Sequence, residues 1–120
     1  MQRRVLLVDD EPEIVRVAAE YLTALGWDPK VATTLAEAER IAELRIPLQA
    51  AVVDWVIEGS SARRLIERLG TYQPQCPILL TTGHGSELLS EAVMGLPMIR
   101  KPYSMKTLSL RLEALAEGRR

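Results

Sequence analysis

The chain has a single cysteine, Cys76, among 120 residues. An internal disulfide is therefore impossible, and a reducing compartment is expected. No apolar run approaches the ~20 residues that a membrane span requires. The N-terminal MQRR meets only the four apolar residues Val5 to Val8, too few for the core of a signal peptide. Neither sign of charge is in excess: 15 basic and 16 acidic residues leave a net charge of -1. That balance makes no electrostatic case for nucleic acid or a membrane surface as a partner. Repeats, low-complexity tracts and linkers are also missing. What remains is the expectation of a cytoplasmic protein with residues 1–120 as one domain. Its size is close to the commonest for a domain, and 48% hydrophobic residues are enough for one core.

The residues present follow an alternating pattern. Val5 to Val8 is a continuous apolar run, as in a strand buried on both faces. Pro12 suits the first turn of a helix. Ile14, Ala18, Leu22 and Leu25 recur at helical spacing before a stop at Gly26. WDPKVA, at 27 to 32, predicts a short strand, with Pro29 at its start or on a sheet edge. Thr34 and Glu37 form a capping-box pattern for a helix reaching about Leu44. AAVVD, at 50 to 54, predicts a second buried strand, and SSARRLIERLG, at 60 to 70, a helix with Leu65, Ile66 and Leu69 inward. PILLTTG, at 77 to 83, predicts a third buried strand and SELLSEAV, at 86 to 93, a short helix. PMIRKP, at 97 to 102, predicts a last short strand. A final helix from Ser104 to about Glu117 places Leu108, Leu112 and Leu115 on one face. Five βα units in series predict an α/β fold with a parallel sheet and helices on both faces.

In such a sheet, ligands sit at the carboxyl ends of the strands. Those ends carry Asp9 and Asp10, Asp54, Thr81 and Thr82, and Lys101. Carboxylates brought this close repel one another, and burial worsens the repulsion. A hard dication resolves it. Mg²⁺ takes oxygen ligands, commonly one or two carboxylates with waters and a phosphate, and Asp9, Asp10 and Asp54 supply a partial cage. Lys101 and a threonine hydroxyl complete a set able to hold a phosphoryl group. A carboxylate can itself attack phosphorus. Asp54 stands alone at its strand end and is the best candidate nucleophile, while the aspartate pair suits the metal.

Four segments, VLLVDDEP, AAVVDW, ILLTTG and RKPY, occur in this order and resemble the receiver domain of bacterial two-component response regulators over essentially the whole chain. The resemblance implies a flavodoxin-like (βα)5 fold, a doubly wound five-stranded parallel sheet of order 2-1-3-4-5. It implies that Asp54 accepts phosphate from a sensor histidine kinase or a phosphotransfer protein. Self-catalysed transfer and autodephosphorylation are then the only chemistry, rather than turnover of a substrate. It implies Mg²⁺ bound directly by Asp10, largely through water by Asp9, and also by Asp54 and the backbone carbonyl of Val56. Thr82 and Lys101 would hold the phosphoryl oxygens and relay the change.

Some positions depart from that family's pattern. Ile57 and Glu58 stand where Met-Pro or Leu-Pro is usual, Ala62 where glycine is usual, and Met98 where the switch aromatic is usual. Gly83 keeps the small residue expected after the threonine. Two other readings use the same residues: a receiver-like domain that is never phosphorylated, and an aspartyl-phosphate phosphohydrolase. The second usually carries a D-x-D-x-T/V motif on the first strand, which VDDEPE does not match. Glu11 and Glu13 read as solvated first-turn residues, His84 as a solvated loop residue, and Cys76 as a passive thiol. Trp55 reads equally as a rim aromatic or a packing residue. The chain ends soon after its fifth helix, so no output domain is expected. The phosphorylated state would then be read by a downstream partner or a second copy through residues 83–106, a stretch containing Met98, Arg100, Tyr103 and Met105.

Overall fold

The structure is a computed structural model that describes residues 3–83 and 93–118. Residues 84–92, with His84 and nearly all of the helix expected at 86–93, lie outside the described residues. Five strands form a parallel sheet: β1 (Arg3–Val8), β2 (Trp27–Ala32), β3 (Ala50–Asp54), β6 (Ile78–Thr82) and β7 (Met98–Arg100). Their order is β2-β1-β3-β6-β7, the expected flavodoxin-like 2-1-3-4-5 once β4 (Val56–Ile57) and β5 (Ser60–Ser61) are set aside as a separate hairpin. The helices are α1 (Pro12–Ala24), α2 (Leu35–Glu43), α3 (Arg63–Tyr72) and α4 (Met105–Ala116).

Alternation along each strand divides the core into two layers. Leu6, Val8, Ala51, Val53, Ile78 and Leu80 face α2 and α3, where they meet Ala38, Ala42, Leu65, Ile66 and Leu69. Val5, Leu7, Ala50, Val52, Leu79 and Ile99 face α1 and α4, where they meet Val15, Ala18, Leu22, Leu108 and Leu112. The strands are apolar on both sides because both sides are covered. Pro29 lies in β2, at the edge of the sheet, where a missing N–H is tolerated.

The helix ends follow local chemistry. Thr34 caps α2 by accepting the Glu37 N–H at 3.1 Å. The Glu37 carboxylate reaches back to the N–H of Thr33 at 3.0 Å. Gly26, at φ +96°, ends α1 in a conformation that favours glycine. Ser104 caps α4 by accepting the Thr107 N–H at 3.0 Å.

Three details differ from the sequence reading. The inward stripe of α1 is Val15, Ala18 and Leu22, with Ile14 half-buried and Leu25 45% exposed. Ile14 and Val15 are both apolar, so periodicity alone does not choose between them, and Leu25 lies past the last helical turn. Leu115 of α4 is half-buried rather than enclosed. The segment read as a helix from Ser60 begins one only at Arg63, because Ser60 and Ser61 pair back onto Val56 and Ile57. The turn between them is Glu58–Gly59, with φ of 50° and 80°. Positive φ at both central residues matches the twist of a two-residue hairpin loop. At Glu58 this conformation costs about 1 kcal/mol, because its Cβ crowds the backbone. Ile57, 1% exposed, pins the hairpin into the α2/α3 layer.

At the far end of the sheet, Arg3 ion-pairs with Glu113 of α4 and donates to the Leu25 carbonyl at 3.3 Å. Its guanidinium also stacks 4.3 Å from the Trp27 ring. One side chain thus joins α1, β2 and α4. Leu79 is fully buried in the α1/α4 layer. Leu79→Ala is expected to cost about 3 kcal/mol, as lost transfer energy plus a residual cavity. Thr34→Ala removes only a cap and should cost about 1 kcal/mol. Urea denaturation of both variants checks the ranking.

Candidate functional site: an acidic rim around one lysine

The carboxyl ends of β1, β3 and β7 meet at one rim, beside the end of β6. Asp9 and Asp54 are 5% and 6% exposed there, and Asp10 is half-buried. Carboxylate oxygens of Asp9, Asp10 and Asp54 lie within 4.8 Å of one another. Lys101 enters from just past β7. Its Nζ lies 2.8 Å from Asp9 Oδ2 and 3.0 Å from Asp54 Oδ2. Glu11 Oε1 is 3.5 Å from the same nitrogen. Glu11 is solvated, as read from the sequence, with its side chain 63% exposed, and it is also a third carboxylate beside the lysine. Its backbone N–H also donates to Asp9 Oδ1 at 3.0 Å.

The charges answer to their surroundings. Burial pushes the Asp54 carboxyl above its ordinary range, against the hydrogen bond and charge of Lys101, with Asp9 adding to the rise. Burial alone would lower the Lys101 ammonium, but its hydrogen bonds and charge pairing with Asp9 and Asp54 outweigh it. The net shift is upward, and Lys101 stays charged. Asp10 makes no ion pair among the described residues; its Oδ2 accepts the backbone N–H of Glu58 at 2.8 Å.

The hairpin also settles the direction of Val56. Hydrogen-bonded and open pairs alternate along an antiparallel ladder. The Ala62 N–H donates to the Trp55 carbonyl at 2.8 Å, so Val56 and Ser61 are the open pair. The amide and carbonyl of Val56 therefore face away from Ser61. Its N–H points at Asp54 Oδ1, 3.4 Å away. The donor set is oxygen-only and anionic, which suits a hard dication such as Mg²⁺.

The two threonines part company. Thr82 is buried at the end of β6, and its carbonyl accepts the Lys101 N–H at 2.8 Å. Thr81 belongs to the other side. It lines a small void with Leu7, Val52, Tyr103 and Leu108, and its Oγ1 has no hydrogen-bond partner among the described residues. Gly83 has room for one more carbon: an added Cβ would meet Lys101 Cδ at 3.6 Å, ordinary van der Waals contact. Trp55 is half-buried against the α2/α3 layer, with the Arg63 guanidinium 5.9 Å from its ring centroid, so it is both packed and at the rim. Cys76 is buried, and burial pushes its thiol up to about 12, which fits a passive role.

The NtrC4 receiver domain, solved as a beryllofluoride-activated dimer, is 30% identical to this chain. The match covers 96% of this chain and 97% of that one, with a TM-score of 0.80. The chain belongs to the response regulator receiver domains. An NtrX-like response regulator of Rickettsia bellii is 31% identical over 120 residues, which cover 94% of the chain. The receiver chain spans about a quarter of that relative's length, 24%. A response regulator receiver protein from Sinorhizobium medicae shares the fold, with a TM-score of 0.85, 21% identity, and coverage of 99% of this chain and 98% of that one. No family model matches the chain. No helix among the described residues is long and apolar enough to cross a membrane.

Two substitutions at this receiver's rim should act in opposite directions without metal. Burial raises the folded-state pKa of Asp54 above its unfolded value, so the stability tied to its protonated form is lost as pH rises through the folded pKa. Asp54→Asn removes that loss. It should raise the melting temperature at neutral pH, with the gain fading below the ordinary carboxylate range. Lys101→Ala leaves Asp9 and Asp54 buried without their cation and should cost about 3 kcal/mol. Thermal melts across pH 3 to 8 (roughly, spanning the carboxylate range) check both signs.

Proposed function

We propose that this receiver carries a phosphoryl group on Asp54, accepted from a phosphohistidine of a sensor kinase or phosphotransfer protein, with Mg²⁺ as cofactor. The observation that carries the reading is Lys101 Nζ, within 3.0 Å of Asp54 and 2.8 Å of Asp9, at a rim where three aspartates converge. Asp54 Oδ1 faces the Val56 N–H and Oδ2 faces Lys101, so the nucleophile is oriented before a donor arrives. An Asp54 oxygen forms a bond to phosphorus as the phosphorus–nitrogen bond breaks, and the electron pair stays on the departing imidazole. Mg²⁺, held by Asp10, Asp54 and the Val56 carbonyl, with Asp9 through water, would offset the charge of the carboxylates and phosphoryl oxygens. Lys101 and Thr82 are the groups proposed to hold those oxygens. The chemistry ends with transfer and hydrolysis of the resulting acyl phosphate, and no other substrate turns over. We take residues 1–120 as one receiver unit.

The readout is proposed to run through residues 83–106, of which 83 and 93–106 are described, to a downstream protein or a second copy. Met98 packs half-buried against the α2/α3 layer, and Tyr103 and Met105 against the α1/α4 layer. Burial pushes the Tyr103 hydroxyl up to about 12, and it remains neutral at physiological pH. Arg100 is exposed beside them. A mixed apolar and basic set of this kind is enriched at interfaces.

Incubation with acetyl phosphate and Mg²⁺, followed by intact mass measurement, should add one phosphoryl group to the parent and none to Asp54→Asn. Full labelling of that variant would assign the chemistry to another residue. Beryllofluoride, a phosphoryl mimic, should change amide exchange within residues 93–106 as well as in the loops around Asp10 and Asp54. Changes confined to those two loops would remove this surface as the readout.

A further inference from the structure

We infer that the Val56–Ser61 hairpin positions Asp10 for its metal through a backbone donor, the N–H of Glu58. The inference rests on the Mg²⁺ reading above. Asp9 and Asp54 share Lys101, but among the described residues Asp10 makes no ion pair. What holds Asp10 is the 2.8 Å bond from Glu58 N–H to its Oδ2. A hydrogen bond to an ionised acceptor is among the strong ones. It joins the β1–α1 loop to the hairpin across 48 residues of chain.

The donor is fixed from both sides. Ile57 is buried in the α2/α3 layer, and Ala62 N–H closes onto the Trp55 carbonyl. Between these anchors, the Glu58–Gly59 turn has positive φ at both residues, so few other backbone paths fit between the two hairpin strands. Glu58 N–H is thus delivered to the Asp10 carboxylate by the hairpin's own backbone. The Oδ2 atom is engaged by the amide, and one carboxylate oxygen of Asp10 lies within 4.8 Å of those of Asp9 and Asp54. Partners that orient a metal's ligands typically change affinity by 10–100-fold when removed. The Glu58 side chain itself is exposed, and its charge is not what the geometry uses.

Two variants separate the amide from the side chain. Glu58→Gly keeps the N–H, relaxes the left-handed backbone and deletes the carboxylate. Its Mg²⁺ affinity, read by Trp55 fluorescence, should stay within about twofold of the parent, since the amide that orients Asp10 is retained. Gly59→Val places a β-branched residue at φ +80° and should weaken Mg²⁺ binding by roughly tenfold. A tenfold loss in Glu58→Gly would transfer the role to the side chain and overturn the inference. So would normal binding by a folded Gly59→Val protein in which the Glu58 amide exchanges freely. A third measurement needs neither metal nor a hairpin variant. In metal-free protein, Glu58 amide exchange should be protected, and Asp10→Ala should accelerate it at least tenfold, an open-to-closed ratio in the range of a charge-assisted hydrogen bond. Equal protection in parent and Asp10→Ala would overturn the clasp. Protection lost as expected in Asp10→Ala, together with a parent that binds no Mg²⁺, would keep the clasp and reject the metal reading instead.

Discussion

One ammonium group among carboxylates governs the rim of this receiver. Lys101 touches Asp9, Asp54 and Glu11, with Asp10 close by and unpaired by any cation among the described residues. Taking such charges out of water is costly, and the mutual attraction of one lysine with several acids repays only part of the cost. The arrangement is held because the remainder of the fold holds it. The backbone N–H of Lys101 is bound to Thr82, so the lysine follows the end of β6. Asp54 is bound from behind by Val56, so its carboxylate follows the hairpin. The excess negative charge is the property that suits the rim to a dication, and the same lysine is the group proposed above to hold a phosphoryl oxygen.

Strand order is what converts a one-dimensional scatter of acids into a cluster. β1 lies between β2 and β3, and β3 lies next to β6. The crevice at the reversal of strand order is where ligands gather in open α/β sheets. Asp9, Asp54 and Lys101 reach it from segments about fifty residues apart, each on a strand end clamped by two layers of helices. Precise distances between carboxylates then require no long side chains, only short ones on stiff supports.

Much of this could be read in the chain because the signals were dense. Three apolar runs ending in polar residues marked the central strands, and carboxylates marked the ends of two of them. The hairpin could not be read. Its strands are two residues each, below any periodicity, and Glu-Gly is a weaker turn signal than Asn-Gly. Glycine flanked by Val56, Ile57 and two serines was the available hint. The phase of α1 was also hidden: Ile14 and Val15 are both apolar, and spacing alone does not say which faces inward. Glu11 looked like any acid in a first helical turn, since its partner lies 90 residues away. The Glu58 donor was least visible of all, because a backbone N–H leaves no trace in residue identity. Only its position in space gives it meaning.

The sheet's strict alternation has a consequence for how this domain can change. Among the described residues no core side chain is shared between the α1/α4 layer and the α2/α3 layer, and the strand backbones stand between them as a partition. Substitutions on opposite sides should then combine additively, while those within one layer share cavities and couple. A lineage can therefore redesign one helical face by drift in Leu65, Ile66 and their neighbours while Leu79, Leu108 and Leu112 stay as they are. The acidic rim, spanning both sides at the end of the partition, is the place where the two histories must remain compatible.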